Sequence, residues 1–144
     1  MDHVAIMNRS LFSLEKIISG EKRIESRWFK YRKAPWGLVS VDDTLYFKNS
    51  GEQVKIKAQV DKVIQFDELA GEDVECILKK YGKNIGLEAV QLNEFHEKVK
   101  DKRYCVLMFL TNIEKVEPFS IDKSGYGSMT AWITVKNISE IKID

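Results

Sequence analysis

Between Tyr104 and Leu110 the chain reads Tyr-Cys-Val-Leu-Met-Phe-Leu, seven side chains in succession without a charge. Neighbouring residues of a strand point to opposite faces, so such a uniform run predicts a strand covered on both sides and central to its sheet. Ile113 and Val116 carry the strand on toward Pro118. Such a strand demands two separate layers of apolar cover, and the rest of the chain has to provide them.

His3 to Met7 forms a short apolar run, followed by Asn8 and Ser10 as helix caps and by Leu11, Leu14, Ile17 and Ile18 at helical spacing; Gly20 ends that helix. Arg23-Ile24-Glu25-Ser26-Arg27-Trp28 alternates like a strand, and Pro35 and Gly37 mark a loop. Leu45 to Phe47, the Asn49-Ser50-Gly51 turn and Val54 to Ala58 predict a hairpin, continued by Val60, Val63 and Ile64 into a meander. From Phe66 to Lys102 the period becomes helical. Leu69, Val74, Ile77 and Leu78 share one apolar face and Leu87, Val90, Leu92 and Phe95 another, with a turn expected over Gly82 to Gly86. The acids Asp67, Glu68, Glu72, Asp73 and Glu75 fit the N-terminal and polar parts of the first of these helices. A last strand is expected near Ala131 to Val135. With no repeat or linker, the expectation is one α+β domain over 1–144: a mixed sheet curled into a barrel, with helices packed at its openings.

The 44% hydrophobic content is enough for a continuous core in 144 residues, and no run approaches the roughly 18 apolar residues of a membrane helix, so a soluble, cytoplasmic protein is expected, with no membrane partner. Cys76 and Cys105 read as reduced core thiols, and His3 and His96 have no ligand spacing, so neither metal nor cofactor is expected. The net charge of +1 excludes a protein that coats nucleic acid by bulk attraction. Its distribution is uneven, however: Lys22 to Trp36 holds six basic residues and a single acid, Glu25.

On a strand, Arg23, Glu25 and Arg27 project to one face, where a carboxylate between two guanidinium groups stays ionised and accepts hydrogen bonds from a ligand's amino or amide group. Lys22 stands where it reaches a phosphate or polarises a carbonyl. The same spacing also fits a solvated ladder of ion pairs. Beyond it, Lys30, Arg32 and Lys33 interleave with Tyr31 and Trp36, a combination suited to stacking on unpaired bases while meeting their phosphates; alternatively, Trp28 and Phe29 are core and the cations ordinary surface charges. Ser124-Gly125-Tyr126-Gly127-Ser128 fits either an anion-binding lip or a tight turn.

The pattern G-x-K-x-x-E-x-R, filled here by Gly20, Lys22, Glu25 and Arg27 directly after the first helix, resembles the signature of the ASCH family, a branch of the PUA-like β-barrels. Pro35, Val41-Asp42-Asp43-Thr44-Leu45-Tyr46-Phe47 and the stretch Val54 to Val63 extend the resemblance over about Val4 to Val116. It implies a PUA-like mixed barrel whose motif-lined cleft binds RNA; joined to the basic–aromatic segment, the expectation is single-stranded or looped RNA, with Lys22, Arg27 and the neighbouring Arg23, Lys30, Arg32 and Lys33 on phosphate, Glu25 on a base edge and Trp36 or Tyr31 stacking. Some ASCH-like proteins are similar but catalytic, hydrolysing the acyl amide of N4-acetylcytidine with a lysine, a threonine and a glutamate. On that alternative, Lys22 and Glu25 are the catalytic residues acting on an N4-acylated cytidine-type nucleoside. Glu25 occupies the threonine's place, and Glu88 is one candidate for the glutamate. Whether the chain is an enzyme stays open at this point.

Overall fold

The computed structural model describes residues 1–143, so the last residue of the expected 1–144 span, Asp144, lies outside the described residues. The elements are β1 (Asp2–Met7), α1 (Ser13–Ser19), β2 (Ile24–Phe29), β3 (Thr44–Asn49), β4 (Val54–Phe66), α2 (Glu72–Ile85), α3 (Ala89–Val99), β5 (Tyr104–Ile121), β6 (Trp132–Val135) and β7 (Lys142–Ile143). Strands pair in the order β2-β5-β4-β3-β1-β6, with β7 added at the far end of β5. β3, β4 and β5 form the expected antiparallel meander, whereas β1 lies parallel to β3 and makes the sheet mixed. Along the β4–β5 ladder the register shifts between Val54 and Ile56, Lys57 and Gln59, and Val60 and Lys62. Each such bulge bends and twists its strand. The sheet curls into an α+β barrel left open along one seam, between β2 and the corner of β1 and β6.

The apolar run in β5 is explained by what lies on either side of it. Val106 and Met108 face the barrel interior with Ala5, Phe47 and Val60, and Leu14 and Ile17 of α1 plug that interior. Cys105 and Leu107 face outward against Val74, Ile77 and Leu78 of α2. Full burial of an aliphatic side chain stabilises by about 1.5–3 kcal/mol, so β5 contributes to two layers at once. A third cluster, including Val4, Ile6, Phe119, Ile133 and Ile141, covers the other side of β1.

Several local expectations are corrected. α2 continues through Gly82 to Ile85 and turns only at Gly86, whose φ of 101° is the left-handed cap. Gly82 is needed for space: a Cβ there would stand 2.8 Å from Leu92 Cδ2, where α3 crosses α2. Asn8 caps a short turn at Arg9–Leu11, and α1 begins only at Ser13. Leu11, Ile18 and Val90 lie exposed outside their expected apolar faces. Cys76 is exposed, while Cys105 is buried and its thiol pushed well up by desolvation; both are free. Ser124 to Ser128 forms a turn between β5 and β6, with Gly125 and Gly127 in left-handed conformation. Among the described residues no helix is long and apolar enough to cross a membrane.

His3 is fully buried in the barrel and held by Asp43 Oδ2 at 2.8 Å from Nε2 and by Thr134 Oγ1 at 2.9 Å from Nδ1. The Trp132 indole N–H also donates to Nδ1, at 3.3 Å. That donor, together with the Asp43 carboxylate opposite, assigns the neutral tautomer with its proton on Nε2. Burial lowers the His3 pKa below 6.5 despite the pull of Asp43.

Candidate functional site

The motif residues meet where β2 joins the barrel interior. β2 pairs with β5 so that Glu25 lies opposite Met108 and Arg27 opposite Val106, both interior positions. Glu25 therefore points into the barrel and is only 3% exposed. Its Oε1 lies 3.1 Å from Lys22 Nζ, and its Oε2 accepts from Arg27 Nη2 at 2.8 Å and Nε at 3.0 Å. Burial works to raise the Glu25 carboxyl, but the Lys22 ammonium and the Arg27 guanidinium outweigh it and hold the pKa below 4.5.

The two cations are themselves committed. Lys22 Nζ donates to Ile85 O at 2.9 Å and Ile24 O at 3.0 Å in addition to its ion pair with Glu25. Lys16 Nζ donates to Gly86 O at 2.9 Å. Two ammonium groups thus cap the C-terminus of α2, where the helix dipole is negative, and tie the helical insertion to α1 and β2. Arg27 crosses the open seam: Nη1 donates to Ala131 O at 3.2 Å and Nη2 to Ile6 O at 3.4 Å, while the guanidinium lies 5.2 Å from the Trp132 ring centre. The motif joins α2, β2 and the β1–β6 corner through one carboxylate.

Above this clamp lies a cleft of about 410 Å³ between the β1–α1 connection, β2 and α3. Among the described residues six cationic side chains line it, Lys16, Lys22, Arg27, Lys33, Lys98 and Lys102, against the single carboxylate of Glu25. Lys33, Lys98 and Lys102 have no carboxylate partner among the described residues. Trp28 and Phe95 form part of the wall, edge to face at 6.1 Å between centroids, with the Trp28 indole N–H donating to Ser26 Oγ at 3.0 Å. Among the described residues no cluster of His, Cys, Asp or Glu is arranged to hold a metal ion.

An open mixed barrel with α1 plugging its interior and a two-helix insertion against β2 and β5 matches a known architecture. The chain superposes on the crystal structure of ASCH from Zymomonas mobilis with a TM-score of 0.66 and 16% identity, covering 94% of this chain and 87% of that one. This is the ASCH fold. A mutant of the same Zymomonas mobilis ASCH protein gives a TM-score of 0.68 at 16% identity, over 96% of this chain and 93% of that one. The N-terminal domain of Staphylothermus marinus McrB gives 0.50 at 14% identity, over 83% and 76%. No family model and no curated protein matches the sequence.

On this ASCH barrel the candidates from sequence separate into groups. Lys22, Glu25, Arg27 and Lys33 line the cleft. Arg23 instead bonds to Gly20 O and faces a neighbouring groove with Lys79 and Lys83. Glu88 lines that second groove too, at the N-cap of α3 with its backbone N–H donating to Gln91 Oε1, so it does not join the Lys22–Glu25 pair. Lys30, Tyr31, Arg32 and Trp36 lie outside the cleft wall. Trp36 is half-buried, edge to face with Tyr104 at 5.2 Å and covered by Arg32; Tyr31 is exposed. Sequence reasoning missed Phe95, Lys98 and Lys102 as site residues. With Gln91 they recur at offsets of four, three and four, one stripe along α3 and its exit.

Proposed function

We propose that this chain binds RNA, in single-stranded or looped form, or a nucleobase-containing phosphate ligand, in the cleft between α1, β2 and α3. The observation that carries this reading is the charge of the lining: among the described residues six cations face one carboxylate, and that carboxylate is already neutralised by Lys22 and Arg27. Such a concave surface attracts polyanions at close range although the chain as a whole is nearly neutral. Phosphate falls to Lys33, Lys98 and Lys102, whose ammonium groups have no carboxylate partner among the described residues. Trp28 and Phe95 offer aromatic surface, and stacking a base on such a surface contributes about 1–3 kcal/mol. The fold shared with ASCH proteins is consistent with a ligand held beside the motif. In this reading Lys22, Glu25 and Arg27 position the walls instead of meeting phosphate or base directly.

One observation favours a second reading as an amidohydrolase on an N4-acylated cytidine-type nucleoside: Lys22 Nζ and the Glu25 carboxylate stand 3.1 Å apart on the lining of a cleft that suits a nucleoside. A single experiment separates the two. Short single-stranded RNA is titrated by fluorescence anisotropy over a range of salt, and N4-acetylcytidine is incubated with the protein for product analysis. Binding is expected to weaken with salt, and Lys98→Ala with Lys102→Ala to lower the log–log slope by about one for each of these lysines that meets a phosphate. RNA binding that is absent or indifferent to salt sinks the binding reading. Release of acetate and cytidine by wild type, lost in a Glu25→Ala variant that circular dichroism shows still folded, establishes the enzyme.

A further inference from the structure

We propose that Phe12 is a stacking platform for an unpaired nucleobase at the mouth of the cationic cleft, an assignment that rests on the nucleic-acid reading above. Phe12 joins the Arg9–Leu11 turn to α1 with φ 54° and ψ 33°, the left-handed region. That conformation strains an L residue, a cost that glycine escapes. Burial does not repay the strain, because the residue is 63% exposed and its neighbour Leu11 is 49% exposed. The backbone is nevertheless held on both sides: the Phe12 N–H donates to Arg9 O at 3.2 Å, and Phe12 O accepts from Lys16 N at 3.2 Å. The ring is thus carried on a fixed stem into solvent.

What surrounds it identifies the occupant. Leu11 and Ser13, the residues on either side, line the cleft, and so does Lys16 one turn further along α1. Phe12 itself is not part of the lining; its exposed ring is carried between two residues that are, and an apolar ring so placed beside a basic cleft suits a ligand whose flat face is apolar and whose backbone is anionic, as in an unpaired base of a nucleic acid strand. A wholly apolar partner would leave the neighbouring lysines desolvated and unpaired. A base stacked on Phe12 would extend the bound strand by one unit beyond the cleft.

The test compares wild type with Phe12→Ala, Phe12→Gly and Phe12→Trp, using short single-stranded oligoribonucleotides that carry one abasic site at successive positions. Phe12→Ala and Phe12→Gly are expected to weaken binding of the intact strand about five- to a hundredfold, the loss of one stacked base, and Phe12→Trp to retain it. Phe12→Gly is also expected to keep or raise the thermal midpoint, since strain leaves with the ring. At one strand position the abasic substitution should weaken binding to wild type and make no difference to Phe12→Ala. Unchanged affinity in both truncations, while Lys98→Ala still weakens binding, overturns the stacking role and leaves the cleft reading standing. A loss of affinity accompanied by a changed oligomeric state assigns the ring to a protein contact and likewise overturns it. If wild type binds no RNA, the cleft reading and this one fall together.

Discussion

Glu25 balances two cations on one carboxylate inside a barrel, and its environment makes removing it more costly than its own charge suggests. Glu25→Gln leaves Lys22 buried and Arg27 largely so, with no counter-charge, and the cost of breaking such a pair is about 3–5 kcal/mol. The sign with pH follows from the direction of the shift. The native carboxyl titrates below 4.5, so as pH falls through that value the unfolded chain takes up a proton that the native state refuses, and wild type loses stability. Urea denaturation at neutral pH and in acid should therefore show a large deficit for Glu25→Gln that narrows as the pH is lowered below 4.5. A deficit independent of pH would mean that the carboxylate's charge is not what stabilises. The alternation of Arg23 to Trp28 made the shared face of Glu25 and Arg27 legible in the sequence. Their depth was not, because it depends on the curl of the sheet and on Ile85 O, which arrives from the end of a helix far along the chain.

Among the elements, the α2–α3 insertion depends on a narrow attachment. The end of α2 rests on the Lys16 and Lys22 ammonium groups, and Gly86 fits there because a Cβ would come within 3.2 Å of Lys22 Cβ. Its φ of 101° adds backbone strain to any substitution. Gly86→Ala is expected to cost about 1–3 kcal/mol and to speed amide hydrogen exchange in α3 while leaving the β3–β4 ladder protected. Uniform loss of protection would place the strain elsewhere. Helices and strands were legible from their periods, and even the glycine cap of α1 was, with Gly20 in left-handed conformation. The α2–α3 turn was misplaced because composition marks Gly82 and Gly86 alike as breakers, and only the crossing of Leu92 over α2 distinguishes a glycine needed for space from one needed for its dihedral angles.

At the scale of the molecule, a net charge of +1 conceals a cleft whose cations come from α1, its connection to β2, β2, the following loop, α3 and the exit of α3. The sequence displayed one basic segment and the aromatic residues within it, and so favoured Tyr31 and Trp36 over Trp28. It did not display Lys98 and Lys102, because a stripe on one helix joins a segment some 70 residues earlier only through the fold. The seam has a consequence of another kind. Sheet edges are templates on which foreign strands can add, and this sheet has β2 and β6 as its ends. Arg27 donates to Ile6 O and Ala131 O, taking up main-chain acceptors at that corner. Arg27→Met should release Ile6 O and leave Ala131 O to the Ile6 N–H alone, and light scattering of concentrated samples under mild heating should then show faster aggregation than wild type at matched thermal stability. The arginine that secures the cleft wall would thereby also guard the protein against edge-to-edge growth with its own copies.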